Sequence, residues 1–195
     1  SFLYLSFHRP HAPYDPPQWA FDQYVDQEIP DPPVGEWTEA FARFRVDYLA
    51  EPMHGRQKPE VRRRALAAYY GLITHIDYQL NRLVEALSDF NLADNTAFVF
   101  VSDHGDMLGD HDFYRKTVGY EGAAHVPFIV RLPGGRYVVP RVDQVVELRD
   151  VMPTILDIAG VEVPDSVDGV SVLPLMNGES VEWRSEVHGE HTYEM

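Results

Sequence analysis

The residues from Ser102 to Lys116, SDHGDMLGDHDFYRK, gather aspartates, histidines, an arginine and a lysine directly behind the apolar run Thr96–Val101. A carboxylate beside an imidazole, Asp103-His104, suits Zn2+ or Mn2+, and equally an oxygen-rich Ca2+ or Mg2+ shell that admits one nitrogen. In an extended strand these neighbouring side chains point to opposite faces. Both therefore reach one ion only if the backbone turns, and Gly105 permits a turn. Two donors are too few for a complete shell, and spacing alone is equally that of a capped strand end. Lys116 is a point charge able to neutralise an anionic ester oxygen; its bland alternative is a solvated loop lysine. A second polar cluster, HRPHAPY (His8–Tyr14), follows the apolar run Phe2–Phe7. His11 carries an imidazole, whose unperturbed pKa of about 6.5 suits protonation of a leaving oxygen; the alternative is a histidine hydrogen-bonded within a proline-rich loop. His8 carries less weight, His111 reads as a loop-stabilising group, and His125 as a packing residue beside Val126-Pro127 that supports the site at most indirectly.

The elements that must position these groups read as α/β. Phe2–Phe7 suits a buried strand, and Pro10, Pro13, Pro16 and Pro17 then forbid regular structure. Thr96–Val101 lacks polar alternation and reads as a strand covered on both faces, as in a parallel sheet. If the two strands are parallel, their polar ends meet at one sheet edge, where α/β folds bind ligands. Pro59–Phe90 is the strongest helix signal, with Tyr69, Leu72, Ile73, Ile76, Leu80, Leu83, Val84 and Leu87 on one stripe. Pro59 suits its first turn, and Gly71 inside it costs about 1 kcal/mol against alanine. Val126–Pro133 and Val142–Leu148 are further candidate strands around the turn Gly134-Gly135. Arg149–Gly160 is a short helix ending at its glycine, and the chain beyond it reads as irregular. Gln18–Gly55, with Trp19 and Trp37, is a long mixed connection and a candidate specificity wall. The whole of residues 1–195 reads as one α/β segment, with both ends cut.

The totals remove whole classes of function. With 31 acidic against 16 basic residues the net charge is −15, which argues against a nucleic-acid or anionic-membrane surface. There is no cysteine, hence no disulfide, thiolate metal site or cysteine nucleophile. No run approaches the roughly 20 apolar residues of a membrane span. Compartment and oligomeric state leave no signal.

The ordered set HRPHAPY (His8–Tyr14), SDHGDMLGDH (Ser102–His111), KTVGYEGAAHVPFIVRLPG (Lys116–Gly134) and LRDVMPTILDIAGVEVPDSVDGVSVLPLM (Leu148–Met176) resembles the sulfatase family of the alkaline-phosphatase-like superfamily. The resemblance implies a mixed sheet sandwiched between helices, of which this chain is part. It implies a divalent metal, calcium first, with magnesium, manganese or zinc as alternatives, held in part by Asp103 and His104. It places the sulfate-binding lysine on Lys116 and the histidine at the bridging oxygen on His11. The implied reaction is hydrolysis of a small-molecule or carbohydrate sulfate ester by a hydrated formylglycine. That nucleophile belongs to a Cys-x-Pro-x-Arg or Ser-x-Pro-x-Arg segment, absent from these 195 residues and expected in a missing N-terminal part. The chain alone is therefore expected to be inactive. A phosphonate or phosphate monoester hydrolase of the same superfamily, and a non-catalytic α/β binding module, are the competing readings.

Overall fold

The computed structural model describes residues 1–42, 54–116, 118–135 and 139–189. They pack as two units, Ser1–Leu87 with His104–His125, and Ser88–Asp103 with Val126–Met195. The chain thus passes from the second unit to the first between Asp103 and His104.

The first unit is built on helices: α1 (Gln18–Phe21), α2 (Thr38–Ala42), α3 (Pro59–Asp89) and α4 (Glu121–Ala124). The apolar stripe places α3 to within a residue, with Pro59 at its start, where a missing N–H goes unnoticed. Its buried residues are Leu66, Ala67, Ala68, Gly71, Leu72 and Ile76, whereas Ile73 and Val84, expected on the same stripe, are exposed. The cause is a contact face made of small residues. A Cβ on Gly71 would stand 3.1 Å from the Pro16 side chain and 3.2 Å from the Ala20 backbone, so the low helix propensity of glycine is exchanged for a close approach by α1. The Tyr24 hydroxyl meets Thr74 Oγ1 at 2.6 Å, and Arg62 pairs with Asp31 at 2.5 Å, fastening the connection ahead of α2 to this helix. Of the Gln18–Gly55 stretch, residues 43–53 lie outside the described residues.

Phe2–Phe7 is not a strand. Phe2, Leu3, Tyr4 and Leu5 are 52–78% exposed, and among the described residues no neighbouring strand takes their N–H and C=O groups. Apolar content suits a strand but cannot make one without a ladder partner.

In the second unit β1 (Phe98–Val101) pairs with β2 (Phe128–Arg131), Phe98 opposite Arg131 and Val101 opposite Phe128. The pair is antiparallel, which corrects the expected parallel arrangement; Phe100, Val101 and Ile129 are also exposed. A continuous apolar run reports an affinity for burial and says nothing of strand direction. The α/β class stands, the described residues contributing a two-stranded antiparallel sheet with helices.

Val142–Leu148, expected as a strand, has no ladder; the Val145 carbonyl instead accepts the Trp183 indole N–H at 2.8 Å. A single turn at Leu148–Asp150 then leads into α5 (Val151–Ile158), closed by Gly160 at φ +68°, and α6 (Leu173–Met176) forms within a stretch expected to be irregular. Asp150, fully buried, organises this region. Its carboxylate accepts from Arg184 at 2.5 and 2.8 Å and from the backbone N–H groups of Glu147 and Val170, both at 2.9 Å. Burial by itself raises the carboxyl's pKa; the Arg184 guanidinium and the two amides outweigh it and hold the group below the usual carboxylate range. No described helix is long and apolar enough to cross a membrane.

Candidate active site

The segment from Gly105 to Lys116 folds back on itself in the first unit. Gly105 N–H donates to Ala123 O at 2.8 Å, Met107 N–H to Arg115 O at 2.7 Å, and Gly109 N–H to Phe113 O at 2.8 Å. Met107 is buried and anchors the loop. Gly105 serves a close approach: a Cβ there would collide with the Gly122 carbonyl oxygen. The left-handed positions of the loop are Gly109, at φ 105°, and four side-chain-bearing residues, Leu108, His111, Asp112 and Arg115, with φ of 50°, 54°, 61° and 68°. Each such residue costs roughly 1–2 kcal/mol, so the loop persists only because its surroundings over-determine it.

One carboxylate does much of that. Asp106 Oδ1 accepts the N–H groups of Leu108 at 3.0 Å and Arg115 at 2.9 Å, and its Oδ2 accepts the Tyr14 hydroxyl at 2.6 Å. Tyr14 also meets Tyr69 of α3 edge to face, with ring centroids 5.6 Å apart. Burial, then the hydrogen bond to Asp106 and its charge, push the Tyr14 phenol well above its ordinary pKa, so it stays a donor. Sequence reading passed over Tyr14 and Asp106. Their only signal was composition, because the bond joins positions 92 apart.

Two of the candidate groups meet beside this anchor. His11 Nδ1 lies 3.0 Å from the Ala12 carbonyl oxygen, which can only accept, so Nδ1 carries the proton and Nε2 the lone pair. Lys116 Nζ donates to that Nε2 at 2.8 Å. Both side chains are exposed. The His104 ring lies 5.9 Å from that of His11, and the His8 ring 5.2 Å away. His8 Nδ1 accepts from Arg9 at 2.9 Å, and Arg9 pairs with Asp15 at 2.8 Å. The structure thus brings together His11, Lys116 and His104. Asp103, exposed, belongs to the other unit and is joined to His104 by the peptide bond. The antiparallel sheet plays no part in the His11–Lys116 meeting; hydrogen bonds within the first unit do.

His111 is a loop-stabilising group, as its position suggested: Nδ1 accepts the Gly35 N–H at 3.1 Å, and the ring packs 5.2 Å from Trp37 and 5.1 Å from Tyr120. His125 is not a packing residue. It is exposed and faces Glu121 at 2.8 Å, one turn away on α4. Trp37 stacks on Tyr120 at 5.8 Å, whereas Trp19 packs against Tyr78 of α3 at 4.9 Å, so the two tryptophans belong to separate aromatic clusters.

The family model described as Sulfatase matches residues 1–161. The chain belongs to the sulfatase family. It is similar to an arylsulfatase of Clostridium perfringens, 45% identical over 195 residues that cover 98% of this chain and 40% of that protein. It is similar also to the multifunctional alkaline phosphatase superfamily protein PehA of Trinickia caryophylli, 32% identical over 98% of this chain and 40% of that protein. Among solved structures it resembles the phosphonate monoester hydrolase SpPMH of Silicibacter pomeroyi, with a TM-score of 0.77 and 31% identity over 90% of this chain and 37% of that one. These likenesses assign the alkaline-phosphatase-like fold. This sulfatase chain spans about 40% of the length of the curated relatives it matches.

Membership of the sulfatase family implies a divalent metal. Among the described residues no group of three His, Asp or Glu side chains is arranged to hold an ion. His104 nevertheless has a suitable tautomer: its Nδ1 donates to the Gly105 carbonyl oxygen at 2.8 Å, which leaves the lone pair on Nε2. A backbone bond of this kind orients metal-ligating imidazoles in general. His104 therefore fits one position of such a shell.

Proposed function

We propose that this chain supplies part of the active site of a sulfuric ester hydrolase, as one segment of a single catalytic domain, and that it is inactive alone. The observation that carries the reading is the 2.8 Å contact from Lys116 Nζ to His11 Nε2, two groups suited to the same ester oxyanion and 105 positions apart. Membership of the sulfatase family, through residues 1–161, supports it. In this reading the Lys116 ammonium binds a sulfate oxygen, and the entering anion competes for the N–H that Nε2 now accepts. His11, once its Nε2 has taken a proton from solvent, gives that proton to the bridging oxygen as the ester S–O bond breaks and the oxygen of the nucleophile bonds to sulfur. It returns to the neutral state seen here, with its remaining proton held on Nδ1 by the Ala12 carbonyl. Asp103 and His104 would contribute to the metal shell. A Ca2+ or similar ion, when bound, would supply Lewis-acid neutralisation of the developing negative charge. With neither Cys-x-Pro-x-Arg nor Ser-x-Pro-x-Arg in these 195 residues, a formylglycine would come from outside them. Substrates would be small-molecule or carbohydrate sulfate esters.

A second reading has one specific observation behind it, the likeness to a phosphonate monoester hydrolase at a TM-score of 0.77. The deciding experiment compares kcat/KM of the full-length, metal-loaded protein on an aryl sulfate and on the matching aryl phosphonate monoester. The sulfatase reading expects the sulfate to be preferred; a preference for the phosphonate selects the second reading, and turnover of neither defeats both.

A further inference from the structure

We infer that Asp106 and Tyr14 are positioning residues that set the His11–Lys116 contact, an inference that rests on the hydrolase reading above. Neither belongs to the acid, cation or metal-ligand roles assigned there. The geometry is specific. Asp106 Oδ1 holds the N–H groups of Leu108 and Arg115, two residues in the left-handed region, and Arg115 immediately precedes Lys116. Asp106 Oδ2 holds the hydroxyl of Tyr14, three residues after His11. A single carboxylate therefore grips both chain segments whose side chains meet at 2.8 Å. The grip is supported on both sides. The Arg115 carbonyl takes the Met107 N–H at 2.7 Å, and Met107 is buried, so the base of the Lys116 arm is fixed to the core of the unit. Tyr14 leans edge to face on Tyr69 of α3, which fixes the base of the His11 arm. His11 and Lys116 are themselves exposed, so their placement depends on these bases and not on burial. Misplacement of a reacting group by about 1 Å is enough to cost roughly 100-fold in rate.

The test uses the full-length protein and a series of aryl sulfates whose phenols become progressively more basic. Tyr14→Phe removes only the bond between the two segments. It should lower kcat about 10-fold or more on the most basic phenol and far less on the most acidic, with KM and the melting temperature nearly unchanged, because proton delivery by His11 matters most for poor leaving groups. Asp106→Ala should lower kcat at least as far. Asp106→Asn, whose amide oxygen still accepts the two backbone N–H groups and whose NH2 can face Tyr14, should restore most of it. If Tyr14→Phe slows every ester equally or none, the inference is overturned, provided His11→Ala is slow. If His11→Ala also turns over at the wild-type rate, His11 is not the proton donor and the inference falls with it; if the wild-type protein turns over none of the esters, the hydrolase reading itself fails.

Discussion

The Lys116 ammonium donates to Nε2 of His11 across 105 positions of sequence, and the proton on the other ring nitrogen is held by the Ala12 carbonyl. Those two contacts fix which tautomer faces the lysine. Lys116→Ala should lower kcat of the full-length protein on an aryl sulfate by roughly 100- to 1,000-fold, the usual loss when one fixed charge aimed at a developing anion is removed. Lys116→Arg should restore little, since a planar fork cannot stand in for a compact ammonium 2.8 Å from the ring. Steady-state kinetics on purified variants checks this, and wild-type rates for Lys116→Ala would remove the lysine from the site.

His104 is oriented by its own neighbour's carbonyl at 2.8 Å, and Asp103 precedes it in the chain. Removing either ligand should lower metal content together with activity, whereas Lys116→Ala should leave the metal in place. Metal analysis of the full-length protein after dialysis reads this directly. Full metal occupancy in both Asp103→Ala and His104→Ala would assign the ion to other residues.

Gly105 lies so near the Gly122 carbonyl oxygen that a Cβ cannot be accommodated without moving backbone. Gly105→Ala should cost about 1–3 kcal/mol, the range for forcing extra volume into a packed place. It should also displace the loop that carries Lys116, so kcat falls with the melting temperature. A thermal melt unchanged from wild type would mean that the two strands of backbone separate freely.

The long helix was legible because thirty-one residues repeat one periodicity, so no single misplaced side chain could hide it. The strand at Phe2–Phe7 was misread because a ladder depends on a partner that the segment's own residues do not name. His11, His104 and Lys116 could be nominated from residue type and resemblance, yet the reason offered for their meeting, parallel strands at Phe2–Phe7 and Thr96–Val101, does not hold, because Phe2–Phe7 forms no strand and Phe98–Val101 pairs with Phe128–Arg131 instead. What does join His11 to Lys116 is a set of hydrogen bonds between segments about ninety positions apart, such as Tyr14 to Asp106. No local pattern encodes such a bond. An aspartate in a polar loop looks the same whether it faces water or two strained backbone amides.

Asp150 offers a prediction independent of any catalytic reading. Its side chain is wholly buried while Arg184, its partner at 2.5 Å, remains 20% exposed. Asp150→Ala should therefore destabilise the full-length protein by about 1–3 kcal/mol, because the N–H groups of Glu147 and Val170 lose their acceptor while Arg184 keeps only Glu147 at 3.3 Å. The pH dependence follows from the direction of the carboxyl's shift. Folding lowers its pKa below the ordinary 3.8, so the stabilisation is complete above that value and is lost as pH falls through the depressed one. Asp150→Asn, which keeps the shape and removes the charge, should differ most from wild type near neutrality and converge on it in acid, because protonation makes the native side chain neutral too. Urea midpoints of the two proteins from pH 7 down to about pH 3 measure this. A difference that stays constant over that range would mean that the Arg184 pairing contributes through shape and hydrogen-bond geometry alone.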